Sequence, residues 1–353
     1  MFKFIICYGT RPELIKLAPL IWEIKKSDLS DQMIVVNTNQ HIHTMFEEEL
    51  NIKPDYQLGV FYENQSIAQL TSKIHAKLDE LVQQLNKTFS VKAIIAQGDT
   101  MTTLCTAQVS FFNRIPFYHI EAGLRSGNIH SPFPEEYNRK SISLMTALHF
   151  SPSEIEKENL INEGVDTNRI KVVGNTVYDV LNHYYNVPIE TDRNTILISI
   201  HRKANQNENL NILLNQILEL AEENPQLEFI WLLHPSPYIT NTVQENGSSI
   251  SIRPNLSYTE MIDLYKKCKI VITDSGGIME ESAFLGIPRI IARTDNERKG
   301  LLDQADTFIY NPKNQNLKQL FDKALTTKGI RNFVYGTGNS SEQIVNTLIE
   351  ELK

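Results

Sequence analysis

"KIVITDSGGIMEESAFLGIPRIIA", Lys269–Ala292, reads as a strand, a glycine turn, a helix and a second strand. "KIVIT" is a short apolar run, Asp274-Ser275-Gly276-Gly277 is its turn, and "IMEESAFLG" is a helix ending at Gly286. "PRIIA" opens the next strand. Such a unit pairs its two strands in parallel and lays the helix across the sheet.

The alternation extends in both directions. Before the unit, buried strands are expected at residues 2–8, 33–38, 91–97, 116–120, 147–151 and 169–174, then at 195–200, 227–233 and 249–253. One more is expected after it, at 307–310. Between most of them lie amphipathic stretches such as "PELIKLAPLIWEIKK", with Pro12 in a first turn, where no backbone donor is needed. The polar stretch at 184–195 is the linker candidate. The fold class is therefore α/β, with two doubly wound, Rossmann-like parallel-sheet domains over residues 1–185 and 190–339, meeting at a cleft. By pattern alone, the helix at 340–353 packs on either domain.

Composition narrows the function. A chain of 353 residues with 41% hydrophobic and 22% charged residues is globular in character. Its net charge of −8 argues against a nucleic-acid partner, whose phosphates call for clustered Lys and Arg. No run approaches the roughly 20 apolar residues of a membrane span. The N-terminal "MFKFIICYGTRPELIK" has too short an apolar run for a signal peptide. Cys7, Cys105 and Cys268 form no CxxC pair and read as core fillers in a reducing, cytoplasmic setting.

In doubly wound sheets the chemistry sits just beyond the carboxyl ends of the strands. There the chain places "GTRPE" with Arg11, "GDTMTT" with Asp99, "EAGLRSG" with Glu121 and Arg125, and "SPFPEEYNRK" with Glu135, Glu136 and Arg139. Each has a plain alternative. Arg11 can be a surface arginine of an ordinary turn, and Asp99 or its neighbouring threonine can simply cap a helix. Taken as a set, Asp99, Glu121 and Glu135 can divide acid and base roles. In the second half, His201, Arg202 and His234 also follow strands. No HExxH-like spacing occurs, so neither a metal nor a cofactor is expected. At the Gly276-Gly277 turn, helix N–H groups and Ser275 suit a diphosphate. Glu280 and Glu281, one turn later, either accept from ribose hydroxyls or only answer the helix dipole.

In combination these segments resemble the non-hydrolysing UDP-N-acetylglucosamine 2-epimerases. The matching stretches are "GTRPELIKLAPL", Gln40-His41 with Met45, "GDTMTT", "HIEAGLRSG", "SPFPEEYNR", "FSPS", "GNTVYD", His201-Arg202, "TDSGGIMEE" and "YGTG". They occur in the family's order and span nearly the whole chain. The resemblance implies a glycosyltransferase-B-like pair of domains, with the helix at 340–353 returning to the first and the active site in the cleft. It also implies a homodimer with UDP-GlcNAc and UDP-ManNAc as partners. It assigns Asp99, Glu121 and Glu135 as catalytic carboxylates and His201 to the leaving phosphate. Arg11 and Lys16 become an anion-site pair, Ser275, Gly276 and Gly277 hold the diphosphate, and Glu281 holds the ribose. Arg139, His234 and Arg298 complete the implied substrate contacts.

Gln40, His41 and Arg202 correspond to the family's activator site. Here "QHIHTM" stands for the usual Gln-His-Arg-Glu-Met and "HRKAN" for His-Arg-Arg-Glu-Asn, and both changes lose charged groups. "TDNERKG" likewise departs from Thr-Glu-Arg-Pro-Glu. A hydrolysing 2-epimerase, an epimerase of another UDP-sugar, a glycosyltransferase and a non-catalytic UDP-sugar sensor are the competing readings.

Overall fold

Every pairing among the strands is parallel, as the buried apolar runs demand. The computed structural model describes residues 1–41, 44–185, 193–200, 208–233, 241–244, 249–254, 256–293 and 296–352. They form two compact units, Met1–Asn182 with Val334–Lys353, and His183–Phe333.

In the first unit the strands are β1 (Phe2–Thr10), β2 (Met33–His41), β3 (Tyr56–Gln57), β4 (Ser90–Gln97), β5 (Phe117–Ile120), β6 (Thr146–Ser151) and β7 (Ile170–Val172). Their order across the sheet is β3-β2-β1-β4-β5-β6-β7. The second unit holds β8 (Thr195–Ser199), β9 (Glu228–Leu232), β10 (Ser251–Arg253), β11 (Cys268–Thr273), β12 (Arg289–Ile291) and β13 (Thr307–Ile309), in the order β10-β9-β8-β11-β12-β13. Both orders begin as the doubly wound 3-2-1-4-5-6, whose direction reverses between the first and fourth strands. The crevices at β1/β4 and β8/β11 are therefore where ligands belong.

All the strands expected from apolar runs are present. β3 is the additional one: a two-residue, exposed edge pairing at Tyr56 and Gln57 that carries no apolar run to announce it. The helix Ile67–Asn86 starts at a full capping box. Ser66 Oγ accepts from the Gln69 N–H at 3.2 Å, and Gln69 Oε1 accepts from the Ser66 N–H at 2.9 Å. Its Leu70, Ile74, Leu78 and Val82 pack into a core with Ile5, Cys7, Val36, Ile94 and Leu104. Trp231, Ile196, Ile198, Ile270, Leu213 and Phe321 build the core of the second unit. All three cysteines are buried, and burial pushes each thiol up to about 12, so none is a nucleophile at neutral pH.

The helix Ser340–Leu352 packs against the helix Arg11–Lys25 of the first unit. It is fastened by Asp179, whose Oδ1 and Oδ2 accept from the N–H groups of Ser341 (2.8 Å) and Ser340 (3.2 Å). Gly174, at φ +90°, has no room for a side chain: a Cβ there would lie 2.6 Å from Ser340 Oγ and 2.7 Å from the Tyr335 carbonyl. "GNTVYD" and "YGTG" thus meet as one clasp, and the Asn175 N–H donates to the Tyr335 carbonyl at 2.8 Å. Among the described residues, no helix is long and apolar enough to cross a membrane.

Candidate active site

At the β1/β4 crevice, two loops are knotted by one buried carboxylate. Glu13 accepts from the Gly9 N–H (3.0 Å), Thr10 Oγ1 (2.7 Å), Thr100 Oγ1 (2.6 Å) and Thr103 Oγ1 (3.1 Å). Burial raises the carboxyl's pKa, against the opposing pull of these hydrogen bonds. Glu13 is conspicuous in "GTRPE", yet its reach to "GDTMTT", some ninety residues on, is invisible to spacing. Gly9 is needed for close approach, since a Cβ would lie 2.2 Å from both Thr38 Oγ1 and Thr102 Oγ1. Gln40 serves the same seam: its Oε1 accepts from Thr102 N–H (3.1 Å) and Oγ1 (2.9 Å).

The capping alternative at "GDTMTT" is resolved by the next residue. Thr100 is the cap of the helix Met101–Phe112 and accepts from the Thr103 N–H at 3.2 Å. Asp99 is therefore left to other work. Its Oδ2 takes Arg139 Nε (2.8 Å) and Nη2 (2.6 Å). Asp99 and Glu135 line one cavity of about 740 Å³, together with Gln40, Thr100 and Asn138. Phe61, Tyr62 and Ser66 line it as well.

Glu121 lies just beyond β5 with φ +66°, a left-handed backbone that a glutamate rarely adopts. Both its carboxylate oxygens accept from Lys16 Nζ at 2.7 Å, and Gln97 Nε2 donates to Oε2. Lys16, expected beside Arg11 as an anion contact, is paired with this carboxylate in the structure. Lys16 and Glu121 are only 6% and 7% exposed, so the pair is a desolvated one. Arg11 rests its guanidinium on the Phe46 ring, 4.1 Å from the centroid. Arg125 proves structural, forking onto Glu163 (2.9 and 2.6 Å) and donating to Ser143 Oγ (2.9 Å).

Behind these groups stand two buried histidines paired across β5 and β6, His119 and His149. His119 Nε2 bonds the Gly98 carbonyl at 2.7 Å, bracing the turn that carries Asp99. Burial first, then the Arg125 and Arg139 charges, lower its pKa to about 4 against the Gly98 bond; His149 falls to about 3, also chiefly by burial. Below the ordinary 6.5 the unfolded chain binds protons that the folded chain refuses, so stability is lost as pH falls toward 4. For His119 that is on the order of 3 kcal/mol. Melting temperature should fall steadily from neutral pH to about pH 4, and a flat profile there would contradict this account.

In the second unit, the helix Gly276–Leu285 starts at the end of β11, at the β8/β11 crevice, and stops at Gly286 in the left-handed region (φ +66°). Ser275 is its cap residue, and its N–H donates to Thr273 Oγ1 at 3.0 Å. Among the described residues, a Cβ on Gly277 would meet nothing within 4 Å, whereas one on Gly276 would lie 2.3 Å from Arg298 Nη1. The turn therefore presents an open face at Gly277 and a packed one at Gly276. The two glutamates have separate partners. Glu280 holds Arg298 Nε at 2.5 Å, while Glu281 accepts from Tyr258 Oη (3.1 Å) and Tyr265 Oη (2.5 Å). Arg298 also pairs with Glu297, which in turn holds Arg293 Nη1 at 3.1 Å. The altered "NERKG" segment is thus ordered by buried ion pairs. His201, Arg202 and His234 lie outside the described residues, and His41 is seen only as the last residue of β2. Among the described residues, no cluster of three or more His, Cys, Asp or Glu could hold a metal ion.

Known proteins share both the sequence and this architecture. Residues 23–349 match the family model described as UDP-N-acetylglucosamine 2-epimerase. A UDP-N-acetylglucosamine 2-epimerase of Neisseria meningitidis is 33% identical over 377 residues, covering 99% of each chain. That of Bacillus subtilis is 31% identical over 365 residues, covering 98% of this chain and 95% of the relative. The crystal structure of UDP-GlcNAc 2-epimerase from Neisseria meningitidis bound to UDP-GlcNAc superposes with a TM-score of 0.90 at 31% identity, covering 99% of this chain and 100% of that one. The Methanocaldococcus jannaschii enzyme in complex with UDP-GlcNAc and UDP gives 0.87 at 29% identity, again over 99% and 100%. With a family model matched over most of the chain and relatives about one-third identical along nearly its whole length, the chain belongs to the UDP-N-acetylglucosamine 2-epimerase family.

Proposed function

We propose that the protein interconverts UDP-GlcNAc and UDP-ManNAc without net hydrolysis. The observation that carries this reading is the pair Asp99 and Glu121, two carboxylates on neighbouring strand ends, each set against a cation. The C2 proton adjoins no carbonyl, so it cannot simply be abstracted. Breaking the C1–O bond releases UDP with the bonding electrons and leaves oxocarbenium character at C1. A carboxylate then takes the C2 proton, giving 2-acetamidoglucal. Re-addition of UDP at C1, with a proton returned to the opposite face of C2, gives the epimer. Asp99, Glu121 and Glu135 are our catalytic set. His201 and Arg11 would steady the leaving phosphates.

The second unit supplies the nucleotide site in this proposal. Ser275, Gly276 and Gly277 would hold the diphosphate at a helix N-terminus, Arg298 would stand beside it, and Glu281 would take the ribose hydroxyls. The open face of Gly277 supports that assignment. The UDP-GlcNAc and UDP complexes of the relatives support a nucleotide sugar as the ligand. We also infer a cytoplasmic homodimer serving surface-polysaccharide synthesis; a monomeric mass in solution would remove the dimer.

Incubation with UDP-GlcNAc in D₂O, followed by NMR, tests the reaction. Deuterium at C2 with UDP-ManNAc appearing is the expected result. Free ManNAc with UDP accumulating would place the protein in the hydrolysing branch. An unchanged sugar despite UDP binding would point to another UDP-sugar, a transferase or a sensor.

A further inference from the structure

Glu136 takes no part in the reaction just described, yet it is fully buried (0% exposed) one residue after Glu135. A buried carboxylate is tolerated only when it is paired and hydrogen-bonded. Its Oε2 accepts from the Ser126 N–H and from Arg139 Nη1, each at 3.0 Å, and its Oε1 accepts from the Gly127 N–H at 3.2 Å. It therefore joins the first turn of the helix Glu135–Met145 to the loop that follows Glu121.

Arg139 turns its other edge to Asp99, and both of those bonds land on Oδ2. One cation is thus shared by two carboxylates. Of the two, Asp99 lines the cavity, its side chain 26% exposed. With Oδ2 occupied twice, Oδ1 is the oxygen available to a substrate. Guanidinium and carboxylate otherwise favour a two-oxygen fork, which would occupy both.

We propose that Glu136 is a positioning residue: by holding Arg139 Nη1 it fixes the guanidinium plane, and so keeps Arg139 on one oxygen of Asp99 and the other oxygen directed to the sugar. This rests on the assignment of Asp99 to proton transfer. With Glu136 neutralised, the charge-assisted hold on Nη1 weakens, and Arg139 relaxes toward the fork that sequesters the base.

The test is steady-state kinetics of UDP-GlcNAc epimerisation by the full-length protein, with Glu136→Gln and Glu136→Asp beside the wild type. Glu136→Gln should lose about 10²-fold in kcat, the scale of a small misplacement of a reacting group. KM should stay within about threefold, because Arg139 is paired with Asp99 and Glu136 and does not itself line the cavity. Glu136→Asp restores the negative charge and should recover part of the lost kcat, although it is one methylene shorter. A merely structural role predicts another pattern: the isosteric Gln outperforms Asp, and activity tracks melting temperature. That pattern, or wild-type kcat in Glu136→Gln, overturns the positioning role alone. A wild type that leaves UDP-GlcNAc unchanged overturns the underlying assignment and this role with it.

Discussion

Glu121→Gln should lower the epimerisation rate by about 10²–10⁴-fold, the range for removing a general acid or base, while UDP still binds. The substitution keeps the volume of the side chain but reverses its chemistry on one side. Lys16 Nζ, now 2.7 Å from both oxygens, and Gln97 Nε2 are all donors. An amide offers them one acceptor and one competing donor. The Lys16 ammonium, buried with its partner, also loses its counter-charge, and breaking such a pair costs about 3–5 kcal/mol. A lower melting temperature is therefore expected alongside the lost rate. UDP affinity separates the two effects, because the turn proposed for the diphosphate belongs to the other unit. Wild-type rate in the variant would strike Glu121 from the mechanism.

Adjacent glycines should respond in opposite ways to the same added methyl group. In Gly276→Ala the new Cβ would sit 2.3 Å from Arg298 Nη1 and 2.4 Å from Cζ. That guanidinium has little freedom to yield, being held by Glu280 and Glu297 in a buried network. Overpacking of this kind costs about 1–3 kcal/mol, so melting temperature should drop and UDP should bind more weakly. Gly277→Ala meets nothing within 4 Å among the described residues and should melt like the wild type. Its methyl nevertheless occupies the face where backbone must approach a pyrophosphate. UDP affinity should fall by at least about tenfold, or 1.4 kcal/mol. Calorimetric titration and thermal melts of both variants decide this. Unchanged UDP binding in Gly277→Ala would move the diphosphate elsewhere.

The sheets were legible in the sequence because a strand covered on both faces is written as a continuous apolar run. β3 was not, because two exposed residues at an edge bury too little to leave a pattern. Strand-end residues marked where to look but not whom they meet. Lys16 was expected to face an anionic ligand and is found on Glu121, 105 residues away in sequence. Glu280 and Glu281 read alike as neighbours; a helix turns successive residues through about 100°, so one reaches Arg298 and the other Tyr258 and Tyr265. The left-handed backbone of Glu121 has no signature in residue type, since strain of this sort is imposed by the surroundings.

The clasp between "GNTVYD" and "YGTG" also sets an order of events on the ribosome. The first unit ends at Asn182 and resumes only at Val334, so its sheet is made long before the helix that Asp179 fastens. At ~5–20 residues per second, the intervening stretch of about 150 residues takes roughly 8–30 s to emerge. Throughout that interval the helix Ser340–Leu352 is not yet made, so it cannot cover the face of the helix Arg11–Lys25 that receives it. The inserted unit can finish folding first, and the enclosing one closes over its final seam second. Nascent chains stalled before residue 340 should therefore be the ones that chaperones find.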